Sequence, residues 1–403
     1  MKHIATILLT AGLAFNAAAD DKVVNPDSTG FTFTDVTVVK TTPVTDQNQS
    51  GTCWCFSTNT FFEDEILRKG GKETDLSEMY VVRQCYLDKA RKYVRMDGTV
   101  NFAQGGAAHD VPYVMATYGM MPEEAYRGLN YGEEKHVHGE LAEVLKAYLD
   151  AVLRLKDRKL STAWERGFEA ILDAYFGEVP HSFEYEGNTY TPQSYMASLG
   201  VDPDDYIELT SFTHHPFYRP FALEVADNWL WDKMMNVPLD ELKAVVDNAL
   251  ENGYPVAWGA DVSEGGFKWR KGYAVIPVEK GAKDLTGTEL ARWTQLSDKD
   301  RRDERYDING PVEEITVTQE MRQQMFDRKE TTDDHGMVIV GKAVDQNGNR
   351  YYKVQNSWDT NQLYGGYIYV SEPFFLAKTM DIMVHRDAVP KDIAKKFQGC
   401  CKK

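Results

Sequence analysis

The chain has 403 residues, 42% of them hydrophobic and 12% aromatic, which excludes a disordered chain and allows a sizeable core in two or three units of ~150 residues each. Its 45 Lys+Arg stand against 62 Asp+Glu, a net charge of −17, so the basic footprint of a nucleic-acid binder is absent.

Met1-Lys2-His3, the apolar run from Ile4 to Phe15 and the small residues Ala17-Ala18-Ala19 predict a signal peptide over 1–19, and with it a secreted or periplasmic protein. The apolar run is shorter than the ~20 residues of a spanning helix, so no membrane partner is expected after cleavage. Residues 20–45 alternate loosely (Phe31, Phe33, Val36, Val38) and predict a strand and approach segment. After a polar turn at 46–51, Trp54, Phe61, Phe62 and Ile66 predict a helix from Cys53, ended by Gly70-Gly71. Further helices are expected over 76–94 and 109–118, so residues 46–135 form a helical lobe.

Residues 136–235 predict an insertion, charge-rich and helical to 176, then aromatic and irregular with several prolines. Residues 236–390 open with a helix from Leu239 to Leu250 and continue as strands at 256–258, 337–340, 351–354, 367–370 and 382–384. The polar stretch from Lys280 to Arg305 is expected as a loop, and 391–403 as a tail. Helices before strands argue for an α+β protein of two lobes.

Five cysteines are an odd and sparse set. Cys53 and Cys55 lie too close in a helix to bridge, while pairing among Cys85, Cys400 and Cys401 stays open. A leftover thiol calls for an explanation, and four segments supply one. In Gln47-Asn48-Gln49-Ser50-Gly51-Thr52-Cys53-Trp54, a cysteine opens a helix after a glycine turn, where the partial positive charge and free N–H groups favour thiolate. The Gln47 amide is placed to donate to an oxyanion. In Asp333-Asp334-His335-Gly336, a histidine stands at the mouth of an apolar strand as a general base. In Asn356-Ser357-Trp358, the asparagine is an orienter for the second ring nitrogen and the tryptophan a cover. Gly365-Gly366-Tyr367 turns into the strand behind.

These four motifs, in this order, resemble the papain superfamily of thiol peptidases. The resemblance implies a papain-like two-lobe fold (a helical lobe plus a β-barrel-like lobe) with a large helical insertion. It also implies Cys53 as nucleophile, His335 as base and acid, Asn356 as orienter and Gln47 as oxyanion donor. About 280 residues separate Cys53 from His335, against ~130–150 in compact members. With Pro43-Val44-Thr45-Asp46-Gln47 and Gly253-Tyr254-Pro255-Val256, this length points to the bleomycin-hydrolase and bacterial aminopeptidase C branch. That branch implies N-terminal trimming of peptide substrates and a hexamer. The short tail ending Gly399-Cys400-Cys401-Lys402-Lys403 and the export signal depart from it. Gln104-Gly105-Gly106 stands where the resemblance places a substrate-backbone rail, or is simply a turn before a helix, and Trp54 and Trp358 are expected as supports.

Other residues read more plainly. Cys55 is core filler, and Cys-x-Cys lacks a partner pair for a metal. His214-His215 is a loop pair with no completing ligand nearby, and His136 and His138 are solvated. No metal and no cofactor are expected. The expected function is cysteine-dependent peptide hydrolysis through a thioester, as an aminopeptidase. The alternatives are an endopeptidase with an open cleft and a non-catalytic peptide-binding scaffold.

Overall fold

The helix that Cys53 opens, α1 (Cys53–Arg68), is buried from Trp54 to Leu67 on all sides, which places it at the centre of the molecule. Several of its buried polar residues have partners, while the Thr58 hydroxyl has none. Asn59 Nδ2 donates to the Leu76 carbonyl at 3.0 Å. Glu63 accepts from the Leu76 N–H at 2.8 Å and the Thr42 hydroxyl at 3.0 Å, and Asp64 accepts from the Thr42 N–H at 2.7 Å. The computed structural model describes residues 23–24, 29–154 and 159–397, so the expected signal peptide and the pair Cys400 and Cys401 lie outside the described residues.

Two helices, α2 (Glu78–Arg95) and α3 (Asp110–Tyr118), pack beside α1. α4 (Gly139–Leu153) and α5 (Ala163–Phe176) bury one stripe each, Leu141, Leu145 and Leu149 on one and Phe168, Leu172 and Phe176 on the other. The four-residue spacing puts each stripe on one helix face. The α5 face meets α2 through the ring pair Tyr86–Phe176 and the chain just after α2 through Phe102–Phe168. His136 and His138, expected to be solvated, are instead buried in a row of rings from Phe56 to Phe176. Burial holds their pKa values down to about 4 and about 3, so they serve as neutral aromatic filler.

The sheet is mixed and has twelve strands. Its central part runs in the order β2 (Tyr206–Thr210), β7 (Thr379–His385), β3 (Val256–Ala260), β4 (His335–Asp345), β5 (Arg350–Gln355) and β6 (Tyr367–Ser371), and β1 (Phe33–Val38) pairs with the distal half of β4. β4 therefore pairs with β3 over His335–Ile339 and with β1 over Gly341–Asp345, with bulges between Ile339 and Gly341 and between Lys342 and Ala343. Bulges bend and twist a strand, which curls this half of the sheet. Helix α6 (Leu239–Glu251) packs on it with Leu242, Val245, Val246, Ala249 and Leu250 buried.

Residues 136–235, read from the sequence as one insertion, are divided between the lobes: α4 and α5 join the helices, and β2 with two short strands at Pro220–Phe221 and Met234–Asn236 extends the sheet. The stretch from Lys280 to Arg305, expected as a loop, carries α7 (Gly287–Trp293) and α8 (Asp298–Arg305). Neither buries a residue, so hydrophobic periodicity has nothing to report. α8 is held by a Ser297–Asp300 capping box and by Arg301 over the Trp293 ring at 3.7 Å.

Candidate active site

Cys53 is the first residue of α1, behind the N-cap Thr52. The turn before it is clamped: Gln104 Oε1 accepts from the Gly51 N–H at 2.7 Å, and the Gln104 carbonyl accepts from Trp54 Nε1 at 3.0 Å. The buried Lys89 ammonium donates to the Gly105 carbonyl and lies 5.5 Å from the Trp54 ring. Both glycines of the 105–106 loop are thereby fixed at the edge of the helix.

β4 brings His335 to the same place. Gly336 follows it because a Cβ there would meet Ser57 Oγ at 2.6 Å and Trp54 Cα at 3.2 Å, so only glycine lets the strand lie on α1. His335 Nε2 is 2.7 Å from Asn356 Oδ1, which leaves Nδ1 as the ring nitrogen for another partner. Asn356 Oδ1 also accepts from the Ser357 N–H at 2.8 Å. The Trp358 ring covers the imidazole at 4.4 Å between centroids. Gln47 is stitched to this loop: its N–H donates to the Ser357 carbonyl at 2.9 Å and its Oε1 accepts from Ser357 Oγ at 2.7 Å. Its Nε2 donates to the Ser50 carbonyl at 2.8 Å, which leaves one amide hydrogen for the cleft.

Cys53, His335, Gln47, Trp54, Trp358, Gly105 and Gly106 therefore line one cleft of about 340 Å³ between helices and sheet, with Asn356 behind His335. Burial pushes the Cys53 thiol up to about 12, against the Gly336 and Trp54 N–H groups that pull it down, and the carboxylates of Asp333 and Asp227 add to the rise. Burial also holds His335 down to about 4, partly offset by Asn356. Cys55 and Cys85 are buried free thiols facing the core.

Sequence reasoning missed the acidic side of this cleft. Asp227 lies over the Gly105–Gly106 loop: a Cβ on Gly105 would strike its carboxylate. Asn101 Nδ2 donates to Asp227 Oδ1 at 3.0 Å, and Trp229 Nε1 donates to the buried Asp110 at 2.6 Å, so the segment is tied down on both sides. Asp333 is raised to about 7, first by burial and then by the charges of Asp227 and Asp334. Only the adjacency of Asp333 to His335 was visible in the sequence; nothing near Asp227 resembled a site. A second cavity of about 770 Å³ lies against α7 and α8. It contains none of these residues, and Arg292, Arg301 and Arg305 on its wall are already paired with Glu304, Asp298 and Glu279.

The sequence model of the peptidase C1-like family matches residues 3–283 and 303–401; the gap holds α7 and the start of α8. Aminopeptidase C of Lactobacillus delbrueckii subsp. lactis is 23% identical over 401 residues, covering 89% of this chain and 83% of that one. Aminopeptidase E of Lactobacillus helveticus is 24% identical over 390 residues, covering 87% and 82%. The crystal structure of PepW from Lactobacillus rhamnosis superposes with a TM-score of 0.67 at 19% identity, over 91% of this chain and 84% of that one, which establishes the papain-like α+β fold.

Proposed function

The chain belongs to the peptidase C1-like family, and from that premise we propose that it is a cysteine aminopeptidase working through Cys53, His335, Asn356 and Gln47. The observation that carries the chemistry is the His335–Asn356 bond at 2.7 Å, set at the cleft that Cys53 opens onto. Asn356 holds Nε2, so Nδ1 takes the thiol proton as sulfur attacks the peptide carbonyl carbon. The free Gln47 hydrogen and the Cys53 N–H stabilise the oxyanion. The C–N bond then breaks, the imidazolium gives its proton to the leaving amine, and a thioester remains. Water attacks that thioester, His335 takes the proton from water, and a carboxylate leaves with the thiol restored.

Asp227 supports trimming from the N-terminus over internal cleavage. An endopeptidase needs the Gly105–Gly106 loop open to substrate backbone on the acyl side. Here a carboxylate occupies that face. It stops an extended chain and offers an ion pair to the α-ammonium group of a peptide that ends there. Export by residues 1–19 belongs to the same proposal, with peptides outside the cytoplasm as substrates. The relatives' names, aminopeptidase C and aminopeptidase E, agree with an exopeptidase.

The test is one peptide in free and N-acetylated forms, with products read by mass spectrometry and a Cys53→Ala control. Stepwise loss from the free form only is expected. Internal cuts in both forms make it an endopeptidase, and cleavage that survives Cys53→Ala rejects the mechanism.

A further inference from the structure

Nothing in the sequence placed a carboxylate beside His214-His215, yet the fold brings Glu224 back onto both rings. His214 Nε2 lies 3.0 Å from Glu224 Oε2, and His215 Nε2 lies 2.8 Å from Glu224 Oε1. One donor atom from each of the three residues falls within 4.8 Å of the others. We propose that His214, His215 and Glu224 bind one divalent first-row transition ion, Zn2+ foremost, on the outer side of the segment whose other side walls the cleft.

The case rests on pre-orientation. Neighbouring residues in an extended chain point to opposite sides. Here a turn sets both imidazoles toward one point, with ring centroids 4.8 Å apart. His214 lies nearly parallel to Phe326, at 15°, and His215 stacks on Phe221 at 4.2 Å. Below them the buried Asn236 holds the turn, accepting from the Phe212 N–H at 3.0 Å and donating to the His215 carbonyl at 2.9 Å.

Gln323 braces His214 from its far side. Its Oε1 accepts from the Thr213 N–H at 2.6 Å and lies 3.2 Å from His214 Nδ1, so it suits a ring protonated at Nδ1 with Nε2 free for a metal. The Gln323 amide nitrogen is 3.0 Å from the same Nδ1 and donates to Asp327 at 2.8 Å. Among the described residues, Glu224 has no other ion-pair partner.

Two imidazoles and one carboxylate form an N, N, O set that suits Zn2+ and its neighbours. Tetrahedral bonds of about 2.0–2.1 Å place ligand atoms about 3.3 Å apart, so only a slight opening is needed. All three side chains reach solvent, and water completes the shell. Such an ion has a consequence for the cleft. Val225 and Asp227, just after Glu224 in the chain, both line it. An ion on Glu224 pins the segment that presents Asp227.

The test uses the full chain with Cys53→Ala, which removes the cleft thiol as a competing ligand. The protein is stripped with chelator and titrated with Zn2+ by calorimetry and with Co2+ by visible absorption. One ion per chain is expected, without a thiolate-to-cobalt band and with a Zn2+-dependent rise in melting temperature. Glu224→Gln and, separately, His215→Gln should each weaken binding at least about 100-fold, more than loss of an outer partner costs. Metal-free melting curves matching the parent show that these variants fold; if one does not match, the other is read. Equal Zn2+ affinity in parent and folded variant, no stoichiometric binding by the parent, or a thiolate band would each overturn the site.

Discussion

The two walls of the cleft are built on different plans. The wall of Cys53, Gln47, His335 and Asn356 comes from short motifs, remote from one another in sequence, that brace each other directly. Gly336 lets β4 lie on α1, Ser357 holds Gln47, and Trp358 covers His335. The facing wall, around Val225, Asp227 and Met234, is held by distant residues: Asn101 on Asp227, Asp110 on Trp229, and Gln323 on the 213–214 turn. Reaction chemistry is concentrated where the supports themselves lie inside those motifs. The acidic wall, which limits what reaches it, depends on packing between remote segments.

The sharpest separation of the two comes from the nucleophile. Cys53→Ala should lower kcat by about 10⁴-fold or more on every substrate, since a single loss from such a unit removes nearly all of its effect. Thermal melting should stay near that of the parent, because the side chain faces the cleft. Substantial residual turnover would move the nucleophile elsewhere. Gln47→Ala comes next. Loss of one oxyanion donor costs about 10²–10³ in kcat, roughly 2.7–4 kcal/mol, with little change in KM. A change confined to KM would show that Gln47 only shapes the turn.

On the other wall, Asp227→Asn should act on substrate choice. It removes a charged partner for the α-ammonium group, an interaction of about 1.5–3 kcal/mol, so kcat/KM on free peptides should fall about 10–100-fold. N-acetylated peptides should lose nothing comparable, because they carry no ammonium group for the carboxylate to pair with. Equal losses on both peptide forms would reduce Asp227 to a structural role and weaken the contrast between the walls.

The difference also explains what could be read beforehand. The helix at Cys53, the strand at His335 and the turn at Gln47 were legible because capping, glycine placement and periodicity are local signals, and the order of motifs supplied the rest. Residues 136–235 were legible as helices and irregular chain. Their division between lobes was not, because it rests on the pairing of Tyr206–Thr210 with Thr379–His385, far apart in sequence. His136 and His138 sit among charged neighbours in sequence and gave no sign of burial. Asp227 and Glu224 acquire meaning only from the glycine loop and histidine pair that the fold sets against them.

Asp333 belongs to both walls and gives the smallest effect. Its carboxyl is raised to about 7 by burial and then by Asp227 and Asp334. A folded pKa above the ordinary value near 4 means that the native state binds the proton more tightly than the unfolded chain does. The resulting stabilisation is full below about pH 4 and is lost as pH rises through about 7. Glu63 in α1, raised to about 8, has the same sign. His335, held down to about 4, has the opposite behaviour: its contribution is present above about 6.5 and is lost as pH falls through 4. Asp333→Asn should therefore flatten the decline of melting temperature between about pH 4 and pH 7 while leaving the acid limb set by His335 in place. At pH 8 it should also speed alkylation of Cys53, but by less than about tenfold, because burial rather than the Asp333 charge is the larger cause of the raised thiol pKa. A steeper acceleration would mean that the acidic wall, and not desolvation, governs the nucleophile, and would join the two walls into one electrostatic unit.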